Sequence, residues 1–246
     1  MQLYSLRNQL ATNVPGTLAE IKSWGVTNVE LAGTYNLSSG QFKAQLDAQG
    51  LNASSGHFPY DRLRTDVEGV ARDAKILGLQ YVGCAWIPHD GDFNEKTCRE
   101  AIAVFNKAGE ALAKHGLKFF YHVHGYEFQP YENSTLLDLI MRETNPKFVN
   151  FQMDVFLDRA SGPGSVKLLE NTASVGSSCT SGNARQHTDR SAHRSHDVTN
   201  DVAVGTGKIA YAPVLREAEK LGVKWYVIED ESPSSEAADS AEPALS

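Results

Sequence analysis

The sequence predicts an α/β protein, a (β/α)8 barrel, and three observations carry that prediction. Five glycines each close a helix-like segment and are followed at once by an apolar run. Those runs are short and strand-like, so strands alternate with helices, the pattern of right-handed βαβ units and a parallel sheet. Seven strands and a slot for an eighth fit within 246 residues, the size of one such barrel. A doubly wound open sheet is the rival architecture, and it lacks support because no G-x-G-x-x-G follows the first strand.

The elements follow in order. MQLYSL opens the chain as the first strand. Helix stops at Trp24-Gly25-Val26, Gln49-Gly50-Leu51 and Leu77-Gly78-Leu79 lead into VTNVELAG, LNASSGHF and LQYVGCAW. Glycine tolerates the left-handed conformation that ends a helix, which makes each a plausible stop. In NEKTCREAIAVFNKAGEALAKH, residues Ala101, Phe105, Ala108 and Leu112 recur at steps of four and three, one buried helical stripe. That helix stops at His115-Gly116-Leu117 and yields LKFFYHVH. A helix from about Ser134 to Thr144 precedes KFVNFQMDVF, and Leu221-Gly222-Val223 precedes VKWYVIED. No domain linker is evident, so residues 1–246 read as a single barrel domain.

Between Asn171 and His196 there is no Leu, Ile, Met, Phe, Tyr or Trp. The eighth strand is due in that stretch, so strand seven of the barrel reads as missing or corrupted. The tail after about residue 236, AADSAEPALS, likewise lacks the apolar face of a final helix.

Composition narrows the function. At 41% hydrophobic and 22% charged the chain reads as a soluble globular protein, and a net charge of −7 disfavours a phosphate-backbone binder. Cys84, Cys98 and Cys179 form no C-x-x-C pair and no disulfide framework, which makes a reducing compartment the default. No apolar run approaches the roughly 18 residues of a membrane span. With no signal peptide at MQLYSLR, the cytoplasm is the expected location, a leader lost upstream staying open.

In a barrel the reactive groups sit at the C-terminal ends of the strands. Those ends carry Glu30, His57, Trp86, the run YHVHGYEF with His122, His124 and Glu127, then Asp154 and Glu229. Several carboxylates at one mouth are costly to bury unless a cation neutralises them. Oxygen ligands with imidazole suit Mn²⁺, Mg²⁺, Co²⁺ or Zn²⁺. Each residue also has a plainer explanation: a carboxylate past a strand can cap the next helix, and His122 or His124 can be a hydrogen-bonded core histidine. Tyr121 and Tyr126 read as packing.

These residues carry a resemblance. QLYSLR (2–7), VELAG (29–33), YHVHGYEF (121–128), FQMDVF (151–156), SHDVTNDVAVGTGKI (195–209) and WYVIEDESPSSE (225–236) resemble the xylose isomerase-like barrel superfamily, in its sugar phosphate isomerase/epimerase branch. The likeness covers residues 1 to about 170 and about 196 to 236; its motifs are specific as a group and weak singly. It implies one divalent metal ion held by Glu127, Asp154, a histidine and Glu229. It also implies that Glu127 and Glu229 move a proton beside a sugar carbonyl through an enediolate, with His57, His124 and Glu30 as substrate-binding groups. No basic, glycine-rich phosphate cradle is evident, so the branch name does not by itself imply a phosphorylated substrate. The expected partner is a small sugar or polyol, with neither nucleic acid nor membrane.

The family's histidine ligand lies in an apolar strand resembling L-M-H-L-K-D, and its position falls near Cys179 and Thr180, in SSCTSGN. Three readings of 171–196 stand side by side. A functional or disordered insert fits the composition, yet an insert lengthens a chain and here the length is unchanged. A metal-binding tract would use His187, His193 and His196 at spacings that match no common site. Out-of-frame translation between compensating indels explains the conserved length, the Arg, Ser, Thr and Gly content and the abrupt return of likeness at SHDVTNDVAVGTGK. A degenerate, non-catalytic sugar-binding barrel is therefore the alternative function, and an apurinic-site endonuclease with several zinc ions a more distant one.

Overall fold

The computed structural model describes residues 1–154, 178–181 and 211–230. Seven parallel strands form one sheet in the order β1-β2-β3-β4-β7-β8-β9. They are β1 (Asn28–Leu31), β2 (Asn52–His57), β3 (Tyr81–Cys84), β4 (Lys118–His122), β7 (Val149–Asp154), β8 (Ser178–Ser181) and β9 (Trp225–Ile228). A two-stranded antiparallel ribbon, β5 (Pro130–Tyr131) with β6 (Ser134–Thr135), sits apart from it. The helices are α1 (Arg7–Thr12), α2 (Val14–Ser23), α3 (Ser39–Ala48), α4 (Tyr60–Thr65), α5 (Val67–Leu77), α6 (Glu95–Lys114), α7 (Leu136–Glu143) and α8 (Tyr211–Lys220).

The amino-terminal segment joins the two ends of this sheet. The Gln2 N–H donates to the Ile228 carbonyl at 2.8 Å, and the Glu30 N–H donates to the Met1 carbonyl at 2.8 Å. Gln2 thus bridges β1 and β9, and the ring closes as in a (β/α)8 barrel. The expectation that all of MQLYSL is a strand needs correction, because only Gln2 pairs and Leu3–Leu6 winds into a 3₁₀ helix. The reason is in the spacing: Leu3, Leu6, Leu10 and Val14 are all buried, and steps of three and four follow a helix rather than a pleat.

All five glycine stops hold. Gly25, Gly50, Gly78, Gly116 and Gly222 have φ between 63° and 82°. At Gly78 the residue is the left-handed cap of α5 and its N–H donates back to the Ala74 and Lys75 carbonyls. The stripe predicted for α6 is buried: Ala101, Phe105 and Leu112 are 0% exposed and Ala108 1%. Phe105 packs on Phe119 and Tyr121 of β4, with ring centroids 5.3 and 4.8 Å apart. The helix expected from about Ser134 begins at Leu136, because Thr135 and Asp138 form a capping box that fixes its start.

The slot read as lacking a strand is filled by β8. Met153 and Asp154 of β7 pair with Cys179 and Thr180, and Ser178–Ser181 pair with Trp225–Ile228 of β9. Backbone N–H and C=O groups on two facing edges accept any chain that brings its own, whatever the side chains. The reading of a missing strand weighed apolar alternation and not this demand for partners, whereas a corrupted strand is consistent with Ser-Cys-Thr-Ser at 178–181. Beyond those four residues, the expected irregularity of 171–196 and of the tail from 237 lies outside the described residues.

Candidate metal and proton-transfer site

The C-terminal ends of β1, β2, β4 and β7 meet in a buried polar network. Glu30 is 2% exposed and accepts hydrogen bonds from Gln2 Nε2 at 2.7 Å and Gln152 Nε2 at 2.8 Å on Oε1. Its Oε2 accepts from the Ser55 hydroxyl at 2.6 Å. His57 Nε2 lies 3.4 Å from Glu30 Oε1 and 3.2 Å from Gln152 Oε1. His122 Nδ1 reaches the same Gln152 oxygen at 2.9 Å. Gly83 in β3 leaves room for this arrangement, since a Cβ there would lie 2.7 Å from His57 Cδ2. Burial pushes His122 well below the usual histidine value, with the neighbouring His124 and His57 adding to that effect, so its ring is neutral.

Beyond β4 the chain turns through Val123 and His124 into a 3₁₀ helix, Tyr126–Phe128, that carries Glu127. His124 is half-buried, and its ring packs edge-on to His122 with centroids 4.6 Å apart. Glu127 is 0% exposed. Its Oε1 accepts from the His124 N–H at 2.9 Å and from the Tyr121 hydroxyl. The Tyr121 proton being so committed, the Tyr126 hydroxyl donates to Tyr121 across 2.8 Å and in turn accepts from the Ile87 N–H at 3.1 Å. Tyr121 and Tyr126 are thus packing residues, as the sequence implied, and also a directed hydrogen-bond chain ending on a carboxylate. Glu127 Oε2 is buried with no hydrogen-bond partner. Burial pushes the Glu127 carboxyl up to about 7, against the hydrogen bonds from His124 and Tyr121.

Asp154 ends β7 and is half-buried, while Glu229 follows β9 and is 8% exposed. Between them runs β8, with Thr180 paired to both Asp154 and Val227. The missing histidine ligand was placed near Cys179 and Thr180, and these are the residues in register with β7 and β9. Trp86, beyond β3, is 49% exposed and stacks on His89 with centroids 5.0 Å apart. His187, His193 and His196 lie outside the described residues.

The donor set fits a divalent cation in chemistry: carboxylate oxygens, one of them buried and unsatisfied. Among the described residues, no three His, Cys, Asp or Glu side chains converge closely enough to hold a metal ion. Nor does a free cation offer itself to a phosphate in a cavity beside His57. That cavity, of ≈ 470 Å³, is walled by Leu31, Leu37, Phe58 and Leu77. Its Arg62 is held by Asp73 at 2.8 Å and Asp66 at 3.3 Å.

Sequence reasoning missed the network's hub. Gln152 and Gln2 are both 0% exposed and sit inside apolar runs, FQMDVF and MQLYSL. A glutamine in a buried strand must find partners, and that signal was available.

No protein-family model and no curated protein matches the sequence. Solved structures do. A sugar phosphate isomerase/epimerase from Parabacteroides distasonis superposes with a TM-score of 0.79 at 19% identity, covering 100% of this chain and 95% of that one. An IOLI protein with a bound zinc atom gives 0.75 at 13%, covering 99% and 95%. A family 2 AP endonuclease from Brucella melitensis gives 0.71 at 15%, covering 97% and 94%. No helix among the described residues is long and apolar enough to cross a membrane. The described residues thus form a TIM barrel, the fold this chain shares with these structures.

Proposed function

We propose that this single barrel domain is built for divalent-metal-dependent isomerisation or epimerisation of a sugar or polyol. One observation carries the reading: Asp154 ends β7, Glu229 follows β9, and Glu127, in the 3₁₀ helix beyond β4, buries a carboxylate oxygen that has no hydrogen-bond partner. The zinc atom in the IOLI structure supports a metal, and the isomerase/epimerase structures support the reaction class. Glu127, Asp154 and Glu229, which do not converge in this structure, would have to draw together to hold the ion, which as a Lewis acid would polarise a carbonyl and lower the cost of an enediolate. Glu127 and Glu229 would take and return the proton on the adjacent carbon. His57 and His124 hold ligand hydroxyls, while Glu30, with both oxygens committed to protein donors, serves binding through His57.

The β8 sequence favours a second reading, a degenerate barrel that binds sugars without turnover, because the fourth ligand is a histidine and Ser178–Ser181 has none. Incubation with Mn²⁺ and a panel of ketoses and aldoses in D₂O separates the two. Isomerisation predicts deuterium entering the carbon beside the carbonyl, and Glu229→Gln abolishing it. Sugar binding with no exchange, in this chain and in one with a histidine-bearing strand restored, refutes the enzymatic reading.

A further inference from the structure

The polar network around Gln152 fixes more than the position of its members. Glu30, accepting three short hydrogen bonds, behaves as an acceptor only. Gln152 therefore turns its amide nitrogen to Glu30, since a flipped amide would set two acceptor oxygens 2.8 Å apart. Its carbonyl oxygen then faces His57 Nε2 at 3.2 Å and His122 Nδ1 at 2.9 Å. A carbonyl oxygen cannot donate, so both of those ring nitrogens carry hydrogen. The orientation of Gln2 agrees: its Oε1 accepts from the Tyr4 N–H at 3.2 Å, which leaves the amide nitrogen for Glu30.

We infer that Gln152 is a positioning residue, locking His57 as the Nε2–H tautomer and His122 as the Nδ1–H tautomer. The lone pairs are then left on His57 Nδ1 and His122 Nε2. Ring nitrogens left as acceptors match the hydroxyl groups of a neutral polyol and not a carboxylate or phosphate. The choice of ligand class rests on the functional reading above; the tautomers do not.

Long-range ¹H–¹⁵N spectra of the ¹⁵N-labelled full-length chain, without metal or sugar, read both tautomers directly. The expected result at neutral pH is one dominant tautomer for each ring, Nε2–H at His57 and Nδ1–H at His122. Gln152→Leu removes the shared acceptor and reduces the tautomer ratio of His122 by about tenfold. Glu30→Gln frees the Gln152 amide to flip, and it loosens His122 although Glu30 acts on that ring through Gln152. A simple structural role for Gln152 would not move the tautomers in this pattern. The opposite tautomer at either ring, a doubly protonated His57, or unchanged ratios in both variants would overturn the inference. If Gln152→Leu does not fold, the wild-type and Glu30→Gln spectra decide. A failure of the isomerase reading would leave the spectra as they are, so the two ideas stand or fall separately.

Discussion

Two strands of the same sheet, β4 and β8, which flank β7, are held by different means. In β4, every residue after Lys118 is buried, and Phe119 and Tyr121 pack on α6 while Phe120 and His122 lie near His57. Side-chain burial and backbone pairing there support one another. In β8 the residues are Ser, Cys, Thr and Ser, and what is visible is pairing on both sides, to β7 and to β9. The contrast teaches that a barrel's topology imposes a strand where its neighbours need one, while the sequence decides whether that strand adds a core and a ligand.

The largest expected effect comes from removing the contrast. Replacing residues 171–196 with an apolar, histidine-bearing strand of the L-M-H-L-K-D kind should stabilise the chain by about 5 kcal/mol, the burial of two or three large apolar side chains. Urea denaturation measures it. No gain would show that β8 is not the weak point of the ring. The source of the weakness has its own test: translating the underlying DNA in its two other frames should reveal such a strand.

Core substitutions sharpen the comparison from either side. Phe105→Ala, on the α6 face against β4, should cost about 3 to 5 kcal/mol. Val214→Ala in α8, 6% exposed, should cost about 1 to 2 kcal/mol. Equal costs per buried carbon removed, by the same denaturation measurement, would mean that the two places are equally well packed.

The Glu127 carboxyl adds a pH dependence to the β4 side. Burial raises it from 4.5 to about 7, so between those values the native state holds a proton that the unfolded chain has released. The stability linked to this group is present in full below about pH 4.5 and is lost as pH rises through 7. In metal-free protein, wild type should lose about 3 kcal/mol relative to Glu127→Gln between pH 4 and pH 8. A flat difference across that range would show that Glu127 titrates normally. Saturating divalent ion should reduce the loss, since a cation on Oε2 favours the charged form.

Much of the barrel was legible because its signals are local. A glycine that must adopt φ near 80° and a helix stripe at three- and four-residue steps belong to short segments, and both were found at their predicted places. The amino terminus misled because MQLYSL contains both an alternating and a helical apolar pattern, and the steps from Leu3 through Leu6 to Leu10 decided it. β8 escaped prediction for the opposite reason. Its support is wholly non-local, lying in residues 153–154 and 225–228. The candidate residues Glu30 and His57 were legible from their places at strand ends, and the structure brings them together. Gln152, the side chain that joins them to His122, was passed over because amides look inert in a search for acids, bases and ligands.

The most direct measurement of the central claim, that this mouth is a divalent-metal site short of one ligand, uses the register of β8. Successive strand positions alternate between faces, so histidine is tested at both Cys179 and Thr180. Calorimetric titration of Cys179→His and Thr180→His with Mn²⁺, Co²⁺ and Zn²⁺ should show a gain of at least about tenfold in affinity for one variant and none for the other. The gain should vanish when Asp154→Asn or Glu229→Gln is added. No gain in either variant, or a gain indifferent to Asp154 and Glu229, would contradict the account.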